Sequence, residues 1–247
     1  PWTSRRRISR EQYAPFEAAI KHGFNIEIDV HLTRDGALVV FHDDTLKRVC
    51  GVEGKVRDFT LDELKKLRLA DSQYTIPAFD EFLSLVKGKT GILCEIKGLN
   101  PYDNSIAEAV CKRIADYDGN IALQSFNYGA VRYCRRHSDR PCGQLCTWQD
   151  WHGKDRAHVM DFMGKLWVNR LSRPHFTAYD IRSAADNKYL ERVREKMPVL
   201  VWTVNSPEKL DLAAQVADNI IFEDIAPIVE ERYADRLGAA APSVSLI

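Results

Sequence analysis

The chain has 247 residues, of which 45% are hydrophobic and 28% charged, a composition typical of a globular domain with a sizeable core. Its 35 basic and 35 acidic residues cancel, which excludes a global field that would recruit nucleic acid or an acidic membrane surface. No apolar run approaches the ~20 residues that span a bilayer, and no signal peptide is visible, so stable membrane insertion is not expected.

The cysteines indicate a reducing environment. Six are present without a C-x-x-C pair, and Cys142 and Cys146 lack the second pair that would complete a zinc site. Reduced structural thiols are therefore expected. They favour a cytoplasmic location, while a periplasmic or secreted one stays open.

Strands alternate with helices along the chain. Apolar periodicity and turn residues predict helices over 10–22, 58–69, 78–86, 104–117, 127–137, 179–196, 207–216 and 225–233. They predict strands at 25–30, 38–41, 91–96, 121–125, 142–146, 166–169, 199–204 and 219–222. This order is typical of an α/β fold with a parallel sheet covered on both faces, and the length suits a single (β/α)8 TIM barrel.

The predicted barrel is one domain over 1–247, with a small hairpin and helix insertion at 43–77 after the second barrel strand and a mobile tail at 238–247. Without the antiparallel strand at 38–41, the count is seven barrel strands, whereas a closed barrel has eight. We therefore expect the first barrel strand upstream of Pro1, because a barrel lacking one strand would expose two sheet edges.

The most informative stretch is NIEIDVHLTRDGALVVFHDD at 25–44. With a period of two, Glu27, Asp29 and His31 share one strand face, so the carboxylates lie about 7 Å apart. Arg34–Gly36 predicts a tight turn, and the returning antiparallel strand brings His42 beside the carboxylates. For an arbitrary E-x-D the alternative is a pair of solvent-facing acids on an edge strand, but here the flanking residues are typical of an interior strand.

A third carboxylate follows on the next predicted barrel strand. Glu95 lies near the end of strand 91–96, and adjacent parallel strands are about 4.8 Å apart, so it could join Glu27 and Asp29 around one ion. Oxygen-only ligands suit one divalent cation, Mg2+ or Ca2+, better than zinc. The alternative is that Glu95 is a buried acid paired with Lys97, two residues along on the same face.

The run E-x-D-V-x-L-T-x-D-G-x-x-V-V-F-H-D at 27–43 resembles the signature of the glycerophosphodiester phosphodiesterase family. Weaker matches follow in order: E-I-K at 95–97, Q-S-F at 124–126 and V-W-T-V-N at 201–205. The resemblance covers nearly the whole chain. It implies a barrel enzyme, metal-dependent, that cleaves small-molecule glycerophosphodiesters to glycerol 3-phosphate and an alcohol.

The resemblance also implies roles for single residues. It makes Glu27, Asp29 and Glu95 the metal ligands, Lys97 a phosphate-binding cation and His42 one of two catalytic imidazoles. Trp202 becomes a wall against the glycerol moiety, although a tryptophan in a strand is otherwise typical of plain core.

The second imidazole of the family belongs to a His-Arg-Gly tripeptide, which this sequence does not contain. We expect it upstream of Pro1. His31 is a possible substitute on the carboxylate face, but its position favours a side chain in solvent past the strand end.

Two alternatives remain from the sequence. The first is a catalytically silent barrel that acts as a binding or regulatory module, since the tripeptide is missing. The second is a phospholipase similar to spider sphingomyelinase D, which resembles this family in its barrel and its E-x-D site. The second would need an apolar interfacial loop and disulfides, and neither is marked in the sequence.

Overall fold

The computed structural model of the protein describes residues 14–70, 72–148 and 157–237. The helices are α1 (Ala14–Lys21), α2 (Lys47–Cys50), α3 (Leu61–Leu64), α4 (Phe79–Val86), α5 (Ser105–Ile114), α6 (Tyr128–His137), α7 (Ala157–Gly164), α8 (Asn169–Ser172), α9 (Lys188–Arg194), α10 (Pro207–Val216) and α11 (Ala226–Leu237). The strands are β1 (Ile26–Leu32), β2 (Leu38–Val40), β3 (Ile92–Ile96), β4 (Ile121–Ser125), β5 (Cys142–Cys146), β6 (Phe176–Asp180), β7 (Val199–Val204) and β8 (Asn219–Phe222).

The strands form one curled sheet in the order β2-β1-β3-β4-β5-β6-β7-β8, with one or more helices between successive parallel strands. From β1 through β3 to β8 every neighbouring pair is parallel, whereas β2 is antiparallel to β1. The predicted (β/α)8-type barrel is confirmed. The strand expected upstream of Pro1, the helix start at 10–13 and the tail at 238–247 lie outside the described residues.

The predicted turn between β1 and β2 is confirmed. The Thr33 amide donates to the Ala37 carbonyl oxygen at 2.9 Å, and the Gly36 amide donates to the Thr33 carbonyl oxygen at 3.1 Å. Gly36 has a φ of 80°, a left-handed conformation that glycine adopts without steric cost. The short loop therefore permits only the antiparallel return that the sequence predicts.

The predicted strand at 166–169 is wrong. Leu166 has a φ of 60°, and the chain then turns into α8. The strand at this place in the sheet is β6, between β5 and β7. A short apolar run does not by itself distinguish strand from turn, and β6 has a weak hydrophobic signal because Thr177 and the small Ala178 are among its fully buried residues.

The predicted helix at 179–196 is wrong in its first half. Its first two residues belong to β6, and α9 begins only after Asn187. The Asn187 side chain accepts hydrogen bonds from the amides of Tyr189 and Leu190 at 3.0 and 3.2 Å, which makes it the N-cap. This cap signal defines the true helix start.

The predicted helix at 58–69 is shorter than expected. The capping box is present, because the Glu63 amide donates to Thr60 Oγ1 at 3.3 Å and the Thr60 amide donates to Glu63 Oε2 at 2.7 Å. However, α3 spans only Leu61–Leu64. Leu64 is fully buried and anchors this single turn, after which the chain turns away.

The insertion at 43–77 has an apolar core of its own. Its buried members come from β2, from the residue that follows β2 and from the insertion itself: Val39, Phe41, Leu46, Val56, Leu64 and Ile76. Leu46, immediately before α2, is fully buried, and its amide donates to the Gly54 carbonyl oxygen at 3.0 Å. This core holds the segment that follows His42 against the barrel.

The outer faces of the strands pack against helices. Ile26, Ile28 and Val30 of β1 are buried in one core with the apolar faces of α4 and α5. The opposite face of β1 is therefore the one that carries Glu27 and Asp29, as the period-two pattern predicts. Within the described residues, no helix has the length and apolarity needed to cross a membrane.

The barrel interior is filled by strand side chains, whose buried members are Leu93, Leu145, Phe176, Ala178 and Leu200. Gly143 of β5 is part of this packing, because a Cβ atom there would overlap the ring of Phe176. We expect Gly143→Ala to lower the free energy of unfolding by about 1–3 kcal/mol through overpacking. Denaturant unfolding measures this change. The double variant Gly143→Ala/Phe176→Leu should recover part of the loss, and equal stability of Gly143→Ala and wild type would contradict the packing argument.

Candidate active site

Three carboxylates converge on one side of the sheet. Asp29 of β1 is the register partner of Glu95 of β3, and Glu27 lies two residues before Asp29 on the same face. One carboxylate oxygen from each lies within 4.8 Å of the others. Parallel pairing without a register shift places these side chains side by side, because paired residues point to the same face.

Lys97 neutralises part of this negative charge. Its Nζ lies 2.7 Å from Asp29 Oδ1 and 2.8 Å from Glu95 Oε1. Burial acts to lower the pKa of Lys97, but the carboxylates of Glu95 and Asp29 outweigh it and raise the pKa above its usual range. The Glu95–Lys97 pair considered from the sequence is therefore present, and it includes Asp29 as well.

Glu27 lies among the other two acids and has no ion-pair partner among the described residues. Burial raises its pKa well above the usual value, and the carboxylates of Asp29 and Glu95 raise it further. Gln124 Nε2 donates to Glu27 Oε1 at 3.4 Å, which favours the charged form. In the absence of a cation the raised pKa therefore favours the protonated form of this carboxyl.

Gln124, the first residue of the Q-S-F match at 124–126, contacts the acids although it was not among the predicted site residues. It is the register partner of Glu95, so Asp29, Glu95 and Gln124 form one row across β1, β3 and β4. The residue is 2% exposed, and its Oε1 has no hydrogen-bond partner among the described atoms. The available signal was the alternation in β4, which places Gln124 on the same side of the sheet as the acids.

The donor set fits a divalent cation. When all three carboxylates are ionised, the single ammonium of Lys97 leaves two negative charges uncompensated in a partly buried site. Among the described residues, Lys97 is the ion-pair partner of Asp29 and Glu95. Buried carboxylates are stable only when they are paired, protonated or metal-bound. Clustered carboxylate oxygens without nitrogen or sulfur are the ligands of hard cations such as Mg2+ and Ca2+.

His42 follows the end of β2 after one intervening residue, Phe41. The Phe41 amide donates to the Asp29 carbonyl oxygen at 2.9 Å, which brings the following residue to the carboxylate end of β1. The His42 side chain is 71% exposed, and its Nδ1 lies 2.7 Å from Asp43 Oδ1. Asp43 also binds Arg48, whose Nε and Nη2 donate to Oδ2 and Oδ1 at 2.6 and 2.8 Å.

His31 does not lie in solvent, so that prediction is wrong. The residue is 6% exposed within β1, and its Nε2 lies 3.4 Å from the His42 carbonyl oxygen. Burial lowers the pKa of His31, which favours the neutral ring. The strand extends two residues beyond the predicted end at Val30, and the antiparallel pairing with β2 covers this part of it.

Trp202 of β7 is partly buried and lines the same side of the barrel. Its ring packs edge-to-face on Phe126, with centroids 5.7 Å apart and an interplanar angle of 90°. Both rings pack against the interior core. Trp202 therefore belongs to the core at one edge and to the cleft at the other.

All six residues predicted from the sequence line one cleft: Glu27, Asp29, His42, Glu95, Lys97 and Trp202. The same fold and arrangement can be compared with known proteins. A model of the glycerophosphoryl diester phosphodiesterase family matches residues 13–226. The chain belongs to this family.

Full-length relatives agree with this membership. YhdW of Bacillus subtilis (strain 168), which bears the name of the glycerophosphodiester phosphodiesterases, is 37% identical over 221 residues, covering 85% of this chain and 87% of that protein. The crystal structure of a glycerophosphodiester phosphodiesterase from Thermotoga maritima has a TM-score of 0.67 at 25% identity, and the match covers 88% of this chain and 89% of that one.

A third match concerns the fold alone. A phosphodiesterase from Oleispira antarctica, solved in complex with the product sn-glycerol-3-phosphate, has a TM-score of 0.70 at 22% identity over 92% of this chain and 94% of that one. Together the family match and the relatives confirm the predicted enzyme class, a phosphoric diester hydrolase acting on small-molecule glycerophosphodiesters. The alternative of a catalytically silent barrel is not supported.

Proposed function

We propose that this glycerophosphodiester phosphodiesterase acts with one divalent cation, Mg2+ or Ca2+, held by Glu27, Asp29 and Glu95, and with His42 in acid–base catalysis. The observation that supports this most strongly is the convergence of three carboxylate oxygens within 4.8 Å. The products are glycerol 3-phosphate and an alcohol. The Oleispira antarctica phosphodiesterase, which shares the fold, was solved with the former as its product.

Hydrolysis of a phosphodiester requires the charge on the non-bridging oxygens to be neutralised. When bound, a hard divalent cation supplies this as a Lewis acid. Lys97 contributes a second positive charge, and its pKa, raised by Glu95 and Asp29, keeps it protonated at any working pH. The same two carboxylates hold its ammonium group in place, so it can bind one phosphate oxygen without losing its orientation.

The departing alkoxide also requires a proton. We assign its delivery to His42, because imidazole exchanges protons near neutral pH and this ring lies at the carboxylate end of β1. The attacking oxygen comes either from water or from the neighbouring hydroxyl of the substrate, which would form a cyclic phosphate first. A second imidazole, which the family resemblance implies, would serve as the partner of His42.

Trp202 and Phe126 form the apolar side of the cleft. Their edge-to-face pair presents aromatic surface next to the charged residues. The glycerol moiety of the substrate has a short carbon backbone that can pack against such a surface. The phosphate group bonded to it then lies at Lys97 and the carboxylates. We therefore assign to Trp202 the contact with the glycerol moiety.

The cysteines support a cytoplasmic location. All six lie in described residues and are free thiols, five of them buried. Cys111 Sγ donates a hydrogen bond to Cys134 Sγ at 3.6 Å, and the two form no disulfide. Free thiols in this number are typical of a reducing compartment.

The metal dependence is tested by following glycerol phosphate release from glycerophosphocholine. We expect turnover to fall to background after dialysis against EDTA, and to return on addition of Mg2+ or Ca2+, because the carboxylates would otherwise repel the anionic substrate. A sample dialysed without EDTA is the control. Full turnover in EDTA would contradict the proposed cation, and cleavage of sphingomyelin in place of glycerophosphocholine would favour the phospholipase alternative.

A further inference from the structure

We propose that Arg48 is a positioning residue for His42: it holds the Asp43 carboxylate against Nδ1 of the imidazole and so leaves Nε2 as the nitrogen that exchanges a proton with the substrate. The inference rests on the proposed role of His42. It extends the site to the insertion that follows β2.

The tautomer follows from the hydrogen bonds. The hydrogen bonds from Arg48, and next that from His42, lower the pKa of Asp43 to about 2, so this carboxylate is ionised at any working pH and can only accept. His42 Nδ1 lies 2.7 Å from Asp43 Oδ1 and must therefore carry the proton. With Nδ1–H held by Asp43, the ring takes up and releases its second proton only at Nε2, and from there the proton is delivered to the departing alkoxide.

Packing does not fix the orientation of the His42 ring, so a hydrogen bond has to fix it. The His42 side chain is 71% exposed, whereas the Asp43 side chain is 16% exposed. An imidazole on the surface rotates and exchanges tautomers unless a hydrogen bond holds it. Asp43 is the group that holds it here.

Arg48 in turn fixes both oxygens of Asp43. Its Nε donates to Oδ2 at 2.6 Å and its Nη2 donates to Oδ1 at 2.8 Å. This planar, two-point contact sets the plane of the carboxylate, which the single-point charge of a lysine does not. Oδ1 is thereby aimed at His42 Nδ1 rather than left to rotate.

The position of Arg48 is determined by the core of the insertion. Leu46, two residues before Arg48, is fully buried in that core, and α2 starts immediately after it. An isolated bridge between Thr45 and Lys55 closes the loop beyond. The insertion therefore provides a rigid support for one arginine on the rim of the cleft.

A competing explanation is that Arg48 attracts the anionic substrate as a surface charge, since its side chain is 69% exposed and lines the cleft. The two explanations differ in what Arg48→Ala changes. Loss of a positioning residue lowers kcat, because the ring is wrongly oriented in every enzyme–substrate complex. Loss of an attracting charge raises KM and leaves kcat unchanged.

The experiment measures kcat and KM on glycerophosphocholine for wild type, Arg48→Ala, Arg48→Lys and Lys47→Ala, with folding checked by circular dichroism. We expect Arg48→Ala to lower kcat by about 10–100-fold with KM unchanged, the range seen when an outer-shell partner is removed. Arg48→Lys keeps the charge but not the two-point contact and should recover only part of kcat. Lys47→Ala is the matched control, because Lys47 is the adjacent cation of α2 and pairs with Glu53.

The ring itself provides a second readout. In protein labelled with 15N at histidine, we expect the neutral His42 ring to carry its proton on Nδ1 in wild type and Lys47→Ala, and to shift toward the Nε2-protonated tautomer in Arg48→Ala. Unchanged kcat with an unchanged tautomer would overturn the proposal. So would a rise in KM alone that Arg48→Lys fully restores.

His42→Ala separates this inference from the proposed function. If His42→Ala loses turnover while Arg48→Ala retains it, the positioning role fails and the catalytic role of His42 stands. If His42→Ala retains turnover, the proposed function itself fails. If Arg48→Ala does not fold, the comparison of Arg48→Lys with wild type tests the proposal instead. Full kcat in Arg48→Lys would contradict the need for a two-point contact.

Discussion

Replacing His42 by alanine is expected to lower kcat by about 10²-fold or more, the scale of general acid–base catalysis. The reason is that the alkoxide would depart without a proton donor, while the cation and Lys97 would still neutralise the phosphate. KM and cation affinity should change little, because the His42 side chain is largely exposed and its ring contacts Asp43 rather than the three carboxylates of the cation site. Steady-state kinetics on glycerophosphocholine and calorimetric titration with Mg2+ or Ca2+ measure the three quantities.

His137→Ala is a suitable control for this variant. His137 is an exposed histidine at the end of α6, where its Nδ1 lies 2.9 Å from the Tyr133 carbonyl oxygen, and it does not line the cleft. It should retain wild-type kcat. Near-normal turnover in His42→Ala would remove His42 from the mechanism, whereas loss of cation affinity in that variant would show that the change disturbed the carboxylates instead.

Glu27→Gln and Glu95→Gln are each expected to weaken cation binding by about 10²-fold or more, because affinity for hard cations depends strongly on the number of charged oxygen ligands. Turnover should fall with the occupancy of the site. Glutamine keeps the size of the side chain, so the barrel should remain folded. Calorimetry gives the affinity, and Glu191→Gln, at an exposed position of α9, serves as the control.

Glu27→Gln should also raise the thermal stability of the cation-free protein. Burial, and then the repulsion from Asp29 and Glu95, raise the pKa of Glu27, so the folded state binds a proton at this carboxyl more tightly than the unfolded chain does. Stability of the cation-free wild type therefore falls as the pH rises from the ordinary glutamate value through the raised pKa. Glu27→Gln should flatten this part of the profile and raise Tm at neutral pH.

Thermal unfolding in EDTA at several pH values tests the charge argument. A cation-free Glu27→Gln variant less stable than wild type at neutral pH would show that the carboxylates do not repel one another in the way the structure indicates. Retained affinity in both glutamine variants would contradict the ligand assignment. The two readouts are independent, since one concerns the empty site and the other the bound cation.

Local sequence signals predicted much of the fold. The turn at Arg34–Gly36, the capping box of Thr60 and Glu63 and the proline at the start of α10 are decided by neighbouring residues, and the structure contains all three. Alternation in β1 predicted which face carries Glu27 and Asp29. These elements were predictable because their stabilising contacts lie within a few residues of one another.

The wrong or missing predictions concern features that are determined by contacts between residues distant in the sequence. The prediction placed a strand at 166–169, but β6 forms later because the barrel interior accommodates Phe176 and Ala178 between neighbouring strands. Gln124 is beside Glu27 only because β3 and β4 pair in the register Glu95↔Gln124. No local sequence pattern specifies this register.

At the site, the sequence by itself determined the residue types and their order. Acids occupy alternate positions of one strand, a histidine follows the next strand, and a strand with the sequence E-I-K comes further on. That is enough to predict hard-cation chemistry and the enzyme family, since ligand chemistry depends on side-chain type and strand periodicity. Only the tertiary structure decided that Lys97 joins two of the acids, that His31 is buried and that Arg48 holds Asp43. These contacts depend on strand register and on the core of the insertion, which are set by packing between segments far apart in the chain.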